Sequence, residues 1–219
     1  MARFSPDMPL KLAESAFVLF SREGIRNVNL DAIASHAGVT KGSLYWHFKS
    51  KQEVIQAACA HYYSTYHRRL HKEMARLTDP MARLERAIRL SVRTCLMDRE
   101  NRVFTLEIFT LSLYDEEIRR SWLQFYDSVR ATYIGFVEAA RAAGQLKLDD
   151  PEKAVNRLLE AMEGVKLRAL FEPHICSESE EERIVEGLMQ ILAVRVGNKR
   201  ASIETSELEA RRVPKGGRG

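Results

Sequence analysis

The stretch from residue 40 to residue 49, Thr-Lys-Gly-Ser-Leu-Tyr-Trp-His-Phe-Lys, constrains the fold of this chain most. Thr40 is a residue type that caps helices, because its hydroxyl accepts a hydrogen bond from a free N–H of the first turn. Leu44 and Phe48 lie four residues apart and predict one buried helix face. The opposite face then exposes amines, hydroxyls and aromatic rings, the groups that contact phosphates and base edges. We interpret the segment as a DNA-reading helix.

A shorter amphipathic segment precedes it. Asn29 is a second capping residue, and Gly38 opens a tight turn between the two segments. Between Asn29 and Gly38, apolar residues recur at i, i+3, i+4 and i+7, namely at Leu30, Ile33, Ala34 and Ala37. Two short helices joined in this way form a helix-turn-helix, whose second helix lies in the major groove. A generic helical hairpin is the alternative, but the run Tyr45-Trp46-His47-Phe48 exposes more aromatic surface than a hairpin needs.

Residues 10–55 resemble the N-terminal domain of the TetR family of bacterial transcriptional regulators. The resemblance covers about a quarter of the chain, and Asn29 stands where the family commonly has Thr, another capping residue. It implies a two-fold dimer on a palindromic DNA operator, with a variable helical region that binds a small effector. The matching pieces are Ala16-Phe17, Phe20, Gly24, 30–34, 37–40, 42–49 and Lys51.

Helix geometry and this resemblance together predict the DNA contacts. We expect the residues at the start of the second helix to face bases, namely Lys41, Gly42, Ser43 and Tyr45. We expect phosphates and sugars to be held by Thr40, Trp46, His47, Lys49 and Lys51, with Asn29 at the edge of the same surface.

Composition sets broad limits. The net charge of +4 lies entirely beyond residue 194, where seven basic residues face three glutamates, so DNA affinity depends on local placement of cations. No segment reaches the ~18 apolar residues of a membrane helix, which predicts a soluble cytoplasmic protein without membrane contact. Three widely spaced cysteines, Cys59, Cys95 and Cys176, predict reduced core thiols rather than a redox sensor.

The remainder of the chain predicts an all-α protein of about nine helices, because no period-two strand pattern occurs. Ser50 to Glu53 is a capping box that opens a long fourth helix to about Leu77. Helices follow over 80–97, 101–113, 115–144 and from Pro151 to Pro173. Residues 101–113 are apolar on nearly every side and predict a helix buried around most of its circumference. A second capping box at Ser179 opens the last helix. We expect a helix-turn-helix domain over 1–53, a helical ligand-binding and dimerisation domain over 54–196, and a disordered basic tail over 197–219.

Aromatic residues at helical spacing predict a cavity for a small hydrophobic effector between the fourth helix, 80–97 and 101–136. Glu107 has two interpretations: an internal ion pair with Arg89, Arg93 or Arg102, or a ligand-facing acid that favours cations. The candidate walls are Tyr66, Phe104, Glu107, Thr110, Trp122, Phe125, Tyr126 and Tyr133. A loose similarity of 101–192 to multidrug-efflux repressors of the same family suits such a ligand.

The last two helices predict a homodimer interface, with Gly164 permitting a close helix approach. Its expected residues are Leu158, Met162, Val165, Ile184, Leu188 and Ile191. His67 and His71 lie four apart but lack an evident third ligand, so a metal site is not predicted. No catalytic or cofactor motif occurs, which predicts a non-enzyme without a cofactor. The competing function is a DNA-bound scaffold of the same fold that recruits a protein and has no effector.

Overall fold

The computed structural model describes residues 7–193, and their regular structure is helical throughout. Nine α-helices occur in this range, together with one π-helical segment and one 3-10 turn, which confirms the all-α prediction. The elements are α1 Met8–Glu23, α2 Leu30–His36, α3 Lys41–His47, α4 Lys51–Met74, α5 Pro80–Ser91, the π-helix Val92–Met97, α6 Arg99–Ser112, α7 Glu116–Ala142, α8 Pro151–Arg168, the 3-10 turn Pro173–Cys176 and α9 Glu178–Ala193.

The first three helices form a small head. α1 ends at Gly24, whose φ of +83° is a conformation that residues with a side chain rarely adopt. Phe20 is fully buried and packs into a core that also contains Ile33 and Leu44 from the two following helices. The amphipathic spacing of the sequence therefore places one side of each short helix against α1.

α4 belongs to the head and to the rest of the molecule. It begins at a cap in which the Glu53 N–H donates to Ser50 Oγ at 3.2 Å, while the Glu53 carboxylate accepts from the Lys49 N–H at 2.7 Å. Val54 packs into the head core, and Tyr66 lies three turns further along in the bundle core. One continuous helix thus connects both parts.

α5 to α9 form a bundle around the far part of α4, and one continuous hydrophobic core runs from Leu12 to Leu192. α7 packs against α5, α6 and α8, and α9 packs against α5 and α8. Aspartates cap four of these helices, since Asp79, Asp98, Asp115 and Asp150 each accept a backbone N–H of the first turn.

Several predicted boundaries are wrong. α4 ends at Met74 rather than near Leu77, and the expected helix over 80–97 changes to π-helix after Ser91. α8 ends at Arg168, so Pro173 opens the 3-10 turn instead of stopping the helix. α9 begins at Glu178, which places Ser179 inside the first turn rather than at the cap. Local sequence marks a helix start well and its last turn poorly.

α6 is less buried than predicted. Its fully buried side chains are Asn101, Phe104, Thr105 and Ile108, whereas Leu113 just after its end is 70% exposed. Although its sequence is apolar on nearly every side, α6 is therefore not buried around most of its circumference. No atom lies within 4 Å of a Cβ built on Gly164, so the close approach expected there does not occur within the protomer.

Two further predictions concern absences. Within residues 7–193 no helix is both long and apolar enough to cross a bilayer. In the same range no group of three His, Cys, Asp or Glu side chains is placed to hold a metal ion, His67 and His71 included. The basic tail predicted over 197–219 lies outside the described residues.

Candidate DNA-binding surface and candidate effector cavity

Two predicted caps fix the helix-turn-helix. The Ala32 N–H donates to Asn29 Oδ1 at 2.8 Å, and the Ser43 N–H donates to Thr40 Oγ1 at 3.2 Å. Gly38 between the helices has a φ of +65°, which a glycine adopts without strain. The side-chain oxygens of Asn29 and Thr40 are thereby used to start α2 and α3, so their first role is to orient the two helices.

The side of α3 that faces away from the core carries the predicted DNA-contacting groups. Trp46 is 59% exposed, Tyr45 is exposed as well, and the Trp46 ring meets His47 edge-on at 4.6 Å between centroids. Gly42 is exposed, and the nearest heavy atom to a Cβ built there is Thr40 Oγ1 at 3.9 Å. The start of α3 therefore leaves room for a nucleic-acid backbone to approach.

The three lysines of this surface are held in different ways. Lys41 Nζ forms an ion pair with Asp31 at 2.8 Å, and this hydrogen bond raises the pKa of Lys41. Lys49 Nζ donates to the carbonyls of Tyr45 and Trp46 at the end of α3. Lys51 Nζ lies 3.5 Å from the Arg26 carbonyl oxygen, and partial burial lowers the pKa of Lys51. Lys41 lies at the start of α3, Lys49 just after its end, and Lys51 at the start of α4.

Four of the ten predicted DNA-contacting residues border one open groove, and the other six, Lys49 included, do not line it. It measures about 410 Å³ and is lined by the loop before α2 and by the first turns of α3 and α4. Asn29, Lys41, Tyr45 and Lys51 all contribute to it. The structure thus brings predicted residues from three separate parts of the sequence to one face of the head.

A cavity of about 60 Å³ lies in the bundle, and we call it the aromatic cavity. Five of the eight predicted wall residues line it: Tyr66, Trp122, Phe125, Tyr126 and Tyr133. Tyr62 of α4 and the π-helix also line it, within the segments predicted to surround the cavity. α8 and α9 complete the walls, and the sequence did not predict them there.

The three predicted wall residues on α6 do not line the aromatic cavity. Phe104 is fully buried and packs edge-on against Phe17 of α1, with 4.9 Å between ring centroids. Thr110 is exposed and its hydroxyl bonds the Leu106 carbonyl. Glu107 accepts a hydrogen bond from the Ile25 N–H at 3.0 Å, so its partner is the head and neither a ligand nor one of the three predicted arginines. The face of α6 assigned to the cavity packs on α1 instead.

The charged pair of the aromatic cavity was missed by the sequence reasoning. Glu163 and Lys166 of α8 line it, with 2.5 Å between Glu163 Oε2 and Lys166 Nζ. Lys166 is only 4% exposed, and its ammonium also lies 4.4 Å from the centroid of the Phe109 ring. The sequence pattern could have indicated that Lys166 is buried, since Lys166 follows Leu158 and Met162 at helical spacing on the apolar stripe of α8.

A hydroxyl chain closes the opposite end of the aromatic cavity. Ser91 Oγ lies 2.9 Å from Tyr66 OH and 2.8 Å from Tyr133 OH, and Tyr133 donates to the Ala87 carbonyl at 2.9 Å. Burial raises the pKa of Tyr66 and Tyr133 well above the ordinary value, so both phenols stay protonated. The cavity therefore has aromatic walls, a neutral hydroxyl end and a charged end.

The predicted dimer residues need correction. Leu158, Ile184 and Leu188 are buried within the protomer, and Met162, Val165, Ile184 and Leu188 line the aromatic cavity. A side chain that already faces the interior of its own subunit cannot supply intersubunit contact. Met162, Val165 and Ile191 of the predicted set are partly exposed. The outward face of α8 and α9 carries Glu160, Gly164, Leu167, Arg183, Gly187 and Gln190.

Comparison with known proteins identifies the head. Residues 12–58 match the model of bacterial regulatory proteins, tetR family. The HTH-type transcriptional regulator SrpR of Pseudomonas putida is 44% identical over 50 residues, which are 23% of this chain and 24% of that protein. The HTH-type transcriptional regulator AcrR of Shigella flexneri is 43% identical over 44 residues, 20% of each protein. The chain therefore matches about a quarter of the length of these relatives or less.

Solved structures extend the likeness to most of the chain. A putative transcriptional regulator from Saccharomonospora viridis in complex with choline superposes with a TM-score of 0.75 and 22% identity, over 85% of this chain and 95% of that one. A TetR transcription regulator from Haloarcula marismortui gives a TM-score of 0.76 and 17% identity, over 86% and 97%. At these identities the likeness shows the fold alone.

A helix-turn-helix head joined by one long helix to an α-helical bundle defines an all-α class of helix-turn-helix proteins. Residues 12–58 match the TetR family of bacterial regulatory proteins, and the chain shares the fold of a solved TetR transcription regulator.

Proposed function

We propose that this chain is a ligand-responsive DNA-binding regulator, a repressor that leaves a palindromic operator when a small hydrophobic molecule enters the aromatic cavity. One observation carries the proposal: α4 borders both sites. Its first residue, Lys51, lies on the groove of the head, and its Tyr62 and Tyr66 line the cavity. A displacement of α4 at the cavity therefore changes the position of the recognition surface. Because such a regulator acts on operator DNA, we expect the protein in the bacterial cytoplasm.

The size of the aromatic cavity supports a ligand response. A cavity of about 60 Å³ is far below the roughly 300–1,000 Å³ of typical ligand sites. A drug-sized effector must therefore displace the walls of the aromatic cavity. It binds a conformation with an enlarged cavity better than the conformation with the 60 Å³ cavity. Such a ligand shifts the equilibrium between the two conformations by the difference between its binding free energies for them. The resulting coupling to operator binding is typically about 1–3 kcal/mol.

The charged end of the aromatic cavity favours a cationic effector. If a ligand cation takes Glu163, the Lys166 ammonium still faces the Phe109 ring, a contact that is favourable for a cation. If a ligand anion takes Lys166, the Glu163 Oε2 atom loses the ammonium that lies 2.5 Å away, and an unpaired charged oxygen in this position is costly. The Saccharomonospora viridis structure, of the same fold, contains the quaternary ammonium compound choline. Glu163 thus takes the role first assigned to Glu107.

The operator follows from a two-fold dimer. We propose that the outward face of α8 and α9 forms the interface, since Gly164 and Gly187 leave open space where a partner helix can approach. A two-fold dimer requires an approximately palindromic site with half-sites about one helical turn, or a multiple, apart.

DNA binding is tested by fluorescence anisotropy with DNA from the region upstream of the gene itself. Lys51→Ala should weaken binding to all sequences and lower the salt slope, because a phosphate contact is lost. Ser43→Ala should change sequence preference instead, because Ser43 lies at the base-facing start of α3. A Lys51→Ala protein with changed preference and an unchanged salt slope contradicts this division.

The effector class is tested with a matched pair of probes. Benzyltrimethylammonium and its neutral isostere neopentylbenzene have the same shape and differ in charge. We expect only the cation to raise the melting temperature of the protein and to release operator DNA, and we expect Glu163→Gln to abolish this difference. Equal effects of both probes contradict the cationic assignment.

The scaffold function remains the second candidate, because Leu113 and Tyr114 form an exposed apolar pair between α6 and α7 that could receive a protein. It predicts operator binding that no small molecule changes. Release of operator by benzyltrimethylammonium counts against it.

A further inference from the structure

A second recess lies at the junction of the head and the bundle, and we call it the polar cleft. It measures about 310 Å³ and lies between α1, α4, the π-helix and the start of α6. Tyr62 is the single residue that it shares with the aromatic cavity. The proposed effector site therefore does not account for the polar cleft.

Opposite charges face each other across the polar cleft. Arg68 and Arg69 of α4 form one side, and Glu14 of α1 and Asp98 after the π-helix form the other. Glu100 also lines the cleft, but it is paired with Arg22 at 2.7 Å. Among the described residues no ion pair within 4.0 Å joins Arg68 or Arg69 to Glu14 or Asp98. The charges are thus close enough to share one cleft and too far apart to neutralise each other directly.

The floor of the polar cleft is formed by His61, Thr94 and Asn101. His61 Nδ1 is buried and has no hydrogen-bond partner in the described part of the chain. Thr94 and Asn101 are buried polar residues that line the cleft beside it. Buried polar atoms are nearly always satisfied, so the unpartnered His61 Nδ1 indicates a place for a polar atom of a bound molecule.

We propose that the polar cleft binds a small zwitterion of the amino-acid type. Its carboxylate faces Arg68 and Arg69, because guanidinium groups are well matched to carboxylates. Its ammonium faces Glu14 and Asp98, and its remaining polar atoms meet the floor. A molecule of one sign only would leave one charged side uncompensated. The volume lies at the lower end of the range for ligand sites and suits a molecule of this size.

Such a ligand would act on operator binding. Glu14 belongs to the head, whereas Asp98 and Asn101 belong to the bundle, so the bound zwitterion connects the two parts. A ligand that stabilises one position of the head relative to the bundle changes the affinity for operator DNA. Operator DNA must then change the affinity for that ligand by the same factor.

The test is isothermal titration calorimetry of the full-length protein with the proteinogenic L-amino acids, one at a time. The strongest binder is then compared with its carboxamide, which is only cationic, and with its N-acetyl derivative, which is only anionic. We expect binding by the zwitterion and at least tenfold weaker binding by both derivatives. Absence of binding by every amino acid, or equal binding by either derivative, overturns the proposal.

Variants locate the site. Arg69→Ala and Glu14→Gln should each weaken binding about tenfold or more, since a hydrogen bond to a charged group contributes ~1.5–3 kcal/mol. The control Lys72→Ala removes an exposed cation of α4 that does not line the cleft, and should leave affinity unchanged. Equal losses in all three variants overturn the assignment. Trp122→Ala, a change in the aromatic cavity, should abolish release by benzyltrimethylammonium and preserve zwitterion binding, so the two proposals fail separately.

Discussion

Glu107 of α6 accepts a hydrogen bond from the backbone N–H of Ile25, with 3.0 Å between oxygen and nitrogen. Ile25 follows Gly24 at the end of α1, and a Cβ on Gly24 would lie 3.7 Å from the same carboxylate oxygen. The contact therefore joins the end of the first head helix directly to α6. The ion pair between Arg22 and Glu100 forms a second connection between the same two helices.

Glu107→Ala should lower the free energy of unfolding by about 1–3 kcal/mol, because the Ile25 N–H then loses a charged acceptor. Glu107→Gln keeps an acceptor oxygen and should cost less. Loss of this connection should also reduce the effect of benzyltrimethylammonium on operator affinity. Urea denaturation measures the first effect, and operator titrations with and without the probe measure the second.

Thr110→Ala is the control for this prediction, since Thr110 is exposed on the same helix and its hydroxyl donates to the Leu106 carbonyl of that helix. We expect it to match the wild type in both measurements. A Glu107→Ala protein as stable as Thr110→Ala would show that the hydrogen bond between Glu107 and the Ile25 N–H contributes nothing to stability.

Asp31→Asn should strengthen operator binding. Asp31 holds Lys41 in an ion pair on the DNA-facing surface, and its own charge repels phosphates. Removal of the charge frees Lys41 for a phosphate, which should steepen the salt dependence by about 0.9 per added contact in each subunit. Anisotropy titrations at several salt concentrations measure the slope. Glu138→Gln, an exposed change on α7, serves as the charge-matched control. A slope that stays at the wild-type value contradicts the role given to Lys41.

The head could be predicted from sequence because its structure is determined locally. Asn29, Thr40 and Ser50 each cap the helix that follows, as their residue types and positions indicated. The aspartates before Pro80 and Pro151 mark helix starts in the bundle for the same reason. A cap acts over three or four residues, so a single sequence contains all the information that it needs.

The walls of the aromatic cavity could be predicted only in part. Apolar spacing shows which residues of a helix are buried, but it does not show which neighbouring helix they face. Phe104 is buried as expected, yet it faces α1 rather than the cavity. Leu188 is buried as expected, yet it faces its own subunit rather than a partner. Both errors concern packing between distant segments, which local patterns do not encode.

The dimer interface is tested by placing the same charge on either side of the last two helices. Leu167 on α8 is 53% exposed and Leu188 on α9 is 3% exposed. Leu167→Glu should give a folded monomer with weak operator binding, because only the intersubunit contact is lost. Leu188→Glu should lower the free energy of unfolding by at least about 2–5 kcal/mol, the typical cost of deleting a core leucine. Analytical ultracentrifugation and urea denaturation separate the two effects.

Leu123→Glu is the control for Leu167→Glu, since Leu123 is similarly exposed on α7, away from α8 and α9 in sequence. We expect it to remain dimeric. A Leu167→Glu protein that sediments as a dimer would exclude this part of the outward face from the interface.

Stability should decrease as the pH falls below about 6.5, the ordinary pKa of histidine. Burial lowers the pKa of His61, with Glu14 and Arg68 acting in opposite directions, and burial likewise lowers the pKa of His67. Just below pH 6.5 the unfolded chain therefore binds protons that the folded chain does not, so stability rises with pH in this window and is complete above it. His61→Gln should flatten the pH dependence of the melting temperature, whereas His36→Gln, an exposed change on α2, should leave it as in the wild type. Identical pH profiles for the wild type and His61→Gln would show that proton binding at His61 does not affect folding.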